Sequence, residues 1–86
     1  MLFISNRGNL SGPQPENENK VSYIQAAFNK SFAVEVDVTD FDGHDTFTLG
    51  HDKGQEEVPS KYFRQKNLFA HAKNYKCLSG LLKHGA

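Results

Sequence analysis

Val34-Glu35-Val36-Asp37-Val38 is an apolar stretch that carries two acids at alternating positions. Side chains alternate between the two faces of a β-strand, so the three valines face one side while Glu35 and Asp37 face the other. Two carboxylates a few ångströms apart each disfavour the ionised form of the other, unless a cation, an arginine or water lies opposite them. The stretch therefore predicts a strand with a buried apolar face and a charged site on its other face.

The segments around this strand predict a parallel βαβ unit. Leu2-Phe3-Ile4 is a short apolar strand that ends in a glycine-containing turn, and a loop from Asn9 to Lys20 follows it. Apolar residues at helical spacing predict a helix from about Lys20 to Lys30, with Asn19 as its cap. The strand Phe32 to Val38 comes next, and the order strand, helix, strand is typical of a parallel unit.

The second half of the chain predicts a hairpin and then a further strand and helix. Asp42-Gly43 is a hairpin-type turn that leads into the half-exposed strand Thr46 to Leu49. Lys53 to Glu57 is polar, and Pro59 opens a short helix that extends to Phe63. Leu68 to Lys73 is a third strand, and Asn74 caps a last helix. The apolar stripe of that helix is predicted to consist of Tyr75, Leu78, Leu81 and Leu82, with Gly85 as its C′ residue.

Three strand–helix units in a row predict one α/β domain over residues 1–86, with right-handed crossovers. Ligands of parallel sheets bind at the carboxyl ends of the strands. The polar residues predicted at or after strand ends are Asn6, Arg7, Glu35, Asp37, His51, Asp52, His71 and Lys73. An open three-stranded sheet leaves two edges unpaired, so we expect self-association through these edges.

Composition gives no general reason to expect nucleic acid or an anionic membrane as a partner, because ten basic and ten acidic residues balance. The single cysteine, Cys77, cannot form an internal disulfide. The first residues lack the apolar segment of a secretory signal, which predicts a cytoplasmic protein. No apolar run approaches the roughly 20 residues that span a bilayer, so no stable membrane insertion is expected.

Four motifs resemble those of the glycerophosphodiester phosphodiesterases, a TIM-barrel family related to the phosphatidylinositol-specific phospholipases C. They are Asn6-Arg7-Gly8, Pro15-Glu16-Asn17, Glu35-Val36-Asp37 and His51-Asp52, where the family has H-R-G, P-E-N, E-x-D and H-D. His71-Ala72-Lys73 stands where the family has E-x-K. The resemblance covers nearly the whole chain. It implies a truncated barrel domain made of the first three βα units, with a small hairpin extension after the second strand, where a whole barrel takes about 250 residues.

The resemblance also implies a role for each motif residue. Glu35 and Asp37 would bind a divalent cation, Ca²⁺ or Mg²⁺, and His71 would be a third ligand that leaves the identity of the cation open. Arg7 would hold a phosphate oxygen, and Glu16 would orient that arginine. The remaining implied site residues are Lys73, which would bind the substrate and add positive charge, His51, which would transfer a proton, and Asn6, which stands at the position of a catalytic histidine.

The sequence leaves the activity open among three alternatives. The first is a metal-dependent hydrolase of glycerophosphodiesters or related lipid phosphodiesters, slowed because the amide of Asn6 cannot shuttle a proton. The second is an inactive module that binds a small-molecule phosphodiester or plays a structural role. The third is a non-functional truncated fragment.

Overall fold

The described residues form a small mixed α/β fold with an open five-stranded sheet and two α-helices. A computed structural model describes residues 4–10, 12–13, 15–51 and 54–84. Its elements are β1 (Ile4–Asn6), α1 (Val21–Asn29), β2 (Ala33–Phe41), β3 (Thr46–Leu49), β4 (Glu56–Pro59), a 3₁₀ helix (Ser60–Arg64), β5 (Leu68–Ala72) and α2 (Tyr75–Lys83). The α/β class is thus confirmed. The described part of the chain contains no helix with the length and apolarity that a membrane crossing needs.

β2 is the central strand of the sheet. β1 pairs with it in parallel, with Asn6 opposite Glu35, and β5 pairs in parallel along the other edge, with Asp37 opposite His71. The predicted parallel βαβ arrangement of the first two strands is therefore confirmed. β3 pairs antiparallel with the distal half of β2, and β4 pairs antiparallel with β3, so a hairpin extension does follow the second strand. The helix expected to follow β2 is present only as the 3₁₀ helix.

Three strands differ from the sequence prediction. β1 includes Ser5 and Asn6, which were predicted to follow the strand, while Leu2 and Phe3 lie outside the described residues. β2 continues to Phe41, three residues past its predicted end, because an irregularity in the pairing between Val38 and Asp40 carries it into the hairpin with β3. β4 occupies a stretch predicted as a polar connection and the start of a helix. Its sequence lacks a strand's alternation, and it exists because its backbone pairs with the free side of β3.

The core lies between one face of the sheet and the two helices. The valines of the central strand are fully buried there, as predicted from their alternation. Ile24 and Ala27 of α1 cover part of this face, and Cys77 of α2 is also fully buried. An aromatic cluster extends the core toward the hairpin, since the ring of Phe47 stacks on Phe41 at 4.4 Å and meets Phe63 edge-on at 5.1 Å.

α2 has the predicted cap but not the predicted buried face. The Asn74 side chain accepts a hydrogen bond of 3.0 Å from the Cys77 backbone N–H, as expected of an N-cap. Of the predicted apolar stripe only Leu81 is buried, while Tyr75, Leu78 and Leu82 are 82, 45 and 66% exposed. The helix instead presents Cys77, Gly80 and Leu81 to the core. Gly80 touches Phe41 so closely that a Cβ there would lie 2.6 Å from the ring. Gly85 lies outside the described residues.

The outer strands of the sheet differ in how well they are protected against further pairing. Among the described strands, β4 pairs only with β3, and its sequence includes two glutamates and a proline, which discourage edge-to-edge association. β5 pairs only with β2 and has neither an acid nor a proline. Its residues Phe69, Ala70 and His71 are exposed. Of these two strands, β5 therefore has the edge that favours pairing with another strand.

Candidate functional site

Five predicted site residues from distant parts of the sequence meet at one edge of the sheet. Arg7 follows β1, Asp37 lies near the end of the parallel portion of β2, and Lys73 follows β5. His71 lies opposite Asp37 in the register, and His51 follows β3, whose pairing with β2 brings it to the same edge. Parallel pairing aligns the carboxyl ends of β1, β2 and β5, which is why the residues from these strands lie close together.

Asp37 is the centre of the cluster. It is only 5% exposed. Its Oδ2 lies 2.7 Å from Nε of Arg7 and 3.5 Å from Nδ1 of His51. Its Oδ1 lies 3.3 Å from Nδ1 of His71. A buried carboxylate is tolerated only when charge and hydrogen bonds compensate for lost hydration, and these groups supply that compensation.

Asn19 holds Asp37 in place through two hydrogen bonds. Its side-chain oxygen accepts a hydrogen bond of 2.8 Å from the Asp37 backbone N–H, and its Nδ2 donates to Oδ2 of Asp37 at 3.2 Å. Asn19 is 1% exposed and has a φ of 64°, in the left-handed region that asparagine tolerates better than most residues. It is therefore not the predicted cap of α1. The N-cap position is Lys20, whose side chain makes no capping hydrogen bond, and Glu56 from β4 accepts from the Val21 backbone N–H at 2.9 Å.

Arg7 is held by groups on three sides. Besides the charge contact of its Nε with Asp37, its Nη1 donates to Oε1 of Glu18 at 3.1 Å, and its Nη2 lies 2.9 Å from Nδ1 of His51. Burial by itself lowers the pKa of Arg7. The hydrogen bond to Glu18 and the charges of Asp37 and Glu18 outweigh that effect, so the pKa is raised and the guanidinium is held more firmly in its charged form.

The acid of the loop before α1 that contacts Arg7 is Glu18 and not the predicted Glu16. Glu16 is exposed in the loop before α1, whereas Glu18 is 6% exposed and also accepts from Nδ2 of Asn9 at 3.0 Å. The dipeptide Glu-Asn occurs twice in succession, at Glu16-Asn17 and at Glu18-Asn19. The second copy supplies both loop residues of the cluster, since Glu18 contacts Arg7 and Asn19 contacts Asp37. The repeat indicates a second acid and a second amide in the loop, but it does not indicate which copy makes the contacts.

The other predicted site residues lie on exposed surface. The side chains of His51 and His71 are 48 and 68% exposed. Lys73 is exposed as well, and its Nζ donates a hydrogen bond to the backbone carbonyl oxygen of His51. Asn6 and Glu35 are exposed neighbours in the register of β1 and β2. Asp52, also singled out from the sequence, lies outside the described residues.

The described side chains do not fit a divalent cation as they are arranged. Ca²⁺ and Mg²⁺ prefer six or more oxygen ligands. Both carboxylate oxygens of Asp37 instead face nitrogen atoms, and Glu35 lies on exposed surface. Within residues 4–10, 12–13, 15–51 and 54–84, histidine, cysteine and acidic side chains form no group of three or more that could hold a metal ion.

Comparison with known proteins adds no relative to this picture. A scan against protein-family models matched none, and searches of curated proteins and of solved structures returned no match either. The fold and site define a small mixed α/β domain with a buried carboxylate–guanidinium cluster. Its kinship with the phosphodiesterases stays a prediction from the motifs.

Proposed function

We propose that this cluster binds the phosphate group of a small-molecule phosphodiester. The observation that carries the proposal is the sidedness of the charges. Glu18 and Asp37 are buried beneath Arg7, at 6 and 5% exposure, while His51, His71 and Lys73 are exposed. The exposed side chains of the cluster are therefore basic or hydrogen-bond-donating, and these groups complement a phosphate oxygen.

Arg7 has N–H donors that the described residues do not use. Each of its terminal nitrogens has two N–H groups, and the contacts with Glu18 and His51 use one on each. The buried acids fix the orientation of the guanidinium before a ligand arrives, which reduces the entropy lost on binding. The motif resemblance supports a diester as the ligand, and with it the proposal that β1, α1, β2, β5 and α2 belong to the beginning of a TIM-type barrel.

Titration of the ¹⁵N-labelled chain with glycerophosphocholine and with inorganic phosphate tests the proposal. We expect the resonances of Arg7, His51 and Lys73 to shift with saturable dependence on ligand. Arg7→Lys removes the planar pair of donors, and loss of a charge-assisted hydrogen bond of about 1.5–3 kcal/mol weakens affinity roughly ten- to hundredfold. Arg64→Lys, at an exposed arginine of the 3₁₀ helix, is the matched control.

Two results would contradict phosphate binding at this place. One is an Arg7→Lys variant that binds both ligands as tightly as the wild type while Arg64→Lys does the same. The other is a set of shifted resonances that lies away from Arg7, His51 and Lys73. Because Arg7 also contacts buried acids, Lys73→Gln serves as a second variant whose side chain is exposed.

Hydrolysis of the bound diester is a second candidate function. It is favoured by the position of His51, whose Nδ1 lies 2.9 Å from Nη2 of Arg7, so that a titratable ring adjoins the proposed phosphate site. To protonate a leaving alkoxide the ring must be the imidazolium, whose Nδ1–H faces Oδ2 of Asp37 at 3.5 Å and whose Nε2–H is the proton transferred, which leaves a neutral imidazole. In the family that the motifs resemble, the reaction also uses a divalent cation.

The test of hydrolysis is release of choline or glycerol from glycerophosphocholine. We expect slow turnover that His51→Gln abolishes and that His44→Gln, at an exposed histidine of the hairpin turn, leaves intact. Asn6→His supplies the missing proton-transfer group, which contributes roughly 10²- to 10⁴-fold in rate. Absence of turnover in both the wild type and Asn6→His would leave binding as the function.

A further inference from the structure

We propose that the anion site works without a divalent cation, because Asp37 is the fixed counter-ion of Arg7 and not a metal ligand. This inference rests on the proposed phosphate binding and deepens it. The motif resemblance assigns Asp37 to metal binding. The contacts of Asp37 in the structure give it a different role.

The side-chain atoms of the described residues that contact the Asp37 carboxylate are nitrogens. Oδ2 lies 2.7 Å from Nε of Arg7 and accepts from Nδ2 of Asn19 at 3.2 Å, and Oδ1 lies 3.3 Å from Nδ1 of His71. The permanent charge of Arg7 occupies the place next to Oδ2 that a bound cation would need. A cation at ligand distance from Oδ2 would be strongly repelled by that guanidinium, since both carry positive charge at close range.

Asn19 prevents the carboxylate from turning toward another ligand. Its amide contacts Asp37 twice, through the backbone N–H at 2.8 Å and through Oδ2 at 3.2 Å. The amide is buried and its oxygen is already used by the backbone of Asp37, so it supplies a donor and not an oxygen ligand to the cluster. A hard cation prefers the reverse, a set of converging oxygens.

The inference predicts that phosphate affinity is independent of divalent cations. The experiment measures the dissociation constant of inorganic phosphate for the wild-type chain by ¹⁵N chemical-shift titration, once with EDTA and once with millimolar Ca²⁺ or Mg²⁺. We expect the two constants to agree within about twofold, whereas coupled binding at a shared site changes affinity by about 5- to 150-fold.

The Nε–H resonance of Arg7 provides a readout that does not depend on phosphate. The counter-ion role predicts that Ca²⁺ leaves this resonance in place in the wild type, and that Asp37→Asn moves it. Glu57→Gln, at an exposed acid of β4, is the control that should not move it.

The possible failures are distinguishable. A cation that tightens phosphate binding fivefold or more, or that moves the Arg7 resonance by itself, overturns the inference while phosphate binding stands. Phosphate that binds neither with EDTA nor with a cation overturns the proposed function, and the cation-independent site falls with it. Unchanged Arg7 resonance in Asp37→Asn refutes the counter-ion role even if phosphate binds equally in both buffers.

Discussion

Replacing Asn19 with alanine tests whether this buried amide holds the cluster together. The change leaves the Asp37 backbone N–H without its partner, which costs about 1–3 kcal/mol, and removes a bond to a carboxylate of about 1.5–3 kcal/mol. It also places alanine at a φ of 64°, at about 1–2 kcal/mol. We expect at least about 3 kcal/mol of lost stability, a large part of the roughly 4–13 kcal/mol that a domain of this size has.

Urea unfolding followed by circular dichroism measures this loss, and thermal unfolding should show a midpoint lower by roughly 12 °C or more. Asn19→Gly separates the two causes, because glycine tolerates the left-handed backbone and should recover about 1 kcal/mol relative to alanine. Asn29→Ala, at an exposed asparagine at the end of α1, should stay within about 0.5 kcal/mol of the wild type. An Asn19→Ala variant as stable as Asn29→Ala, or a glycine variant less stable than the alanine one, would refute the reasoning.

Three further predictions follow from the fold. Gly80→Ala should lower the free energy of unfolding measured in urea. A Cβ 2.6 Å from the Phe41 ring costs about 1–3 kcal/mol of overpacking, which exceeds the roughly 0.5–1 kcal/mol that alanine gains over glycine in a helix. A variant more stable than the wild type would contradict this packing. Backbone hydrogen bonds within its turn lower the pKa of Asp42 below its ordinary 3.8, so this carboxylate stabilises the fold above that pH, and the stabilisation is lost as pH falls through the lowered pKa. Asp42→Ala should therefore reduce the loss of stability on acidification in a series of unfolding curves at different pH. An unchanged loss would contradict this role of Asp42. The unprotected edge of β5 should pair with a second copy of this chain. Sedimentation velocity would detect this pairing as association that rises with concentration, and Ala70→Lys should suppress it. A monodisperse wild-type monomer would rule the pairing out.

The sequence predicted those parts of the fold that local patterns determine. The central strand, α1 and the hairpin from Asp42 to Leu49 follow from alternation, helical spacing and turn residues, and each is present close to its predicted position. The Asn74 cap was equally predictable, because a capping residue acts within one turn of its own helix.

Elements that depend on distant partners were not predictable in this way. β4 exists through its pairing with β3, and its own residues give no strand pattern. The buried face of α2 is set by the extension of β2 to Phe41, whose ring lies against Gly80, so Leu78 and Leu82 lie outside the core. A periodic pattern indicates that a helix has an apolar face, but the packing partner decides which residues are buried.

The candidate site likewise has contacts that the sequence predicts and contacts that it does not. Convergence of Arg7, Asp37 and His71 follows from the parallel order of the strands and could be predicted. The contacts of Glu18 and Asn19 come from the long loop before α1, whose path no short-range pattern determines. Both glutamates of the repeated Glu-Asn pair were compatible with a contact to Arg7, and only the folded loop distinguishes them.

The two acids of the central strand show why a shared face does not imply a shared role. Glu35 and Asp37 do point to the same side of β2, as alternation requires. Asp37 is nevertheless covered by Arg7 and Asn19, whereas Glu35, two residues earlier, is exposed. The mutual repulsion expected of two neighbouring carboxylates is thereby relieved without a cation between them, because one acid is neutralised by an arginine and the other is hydrated.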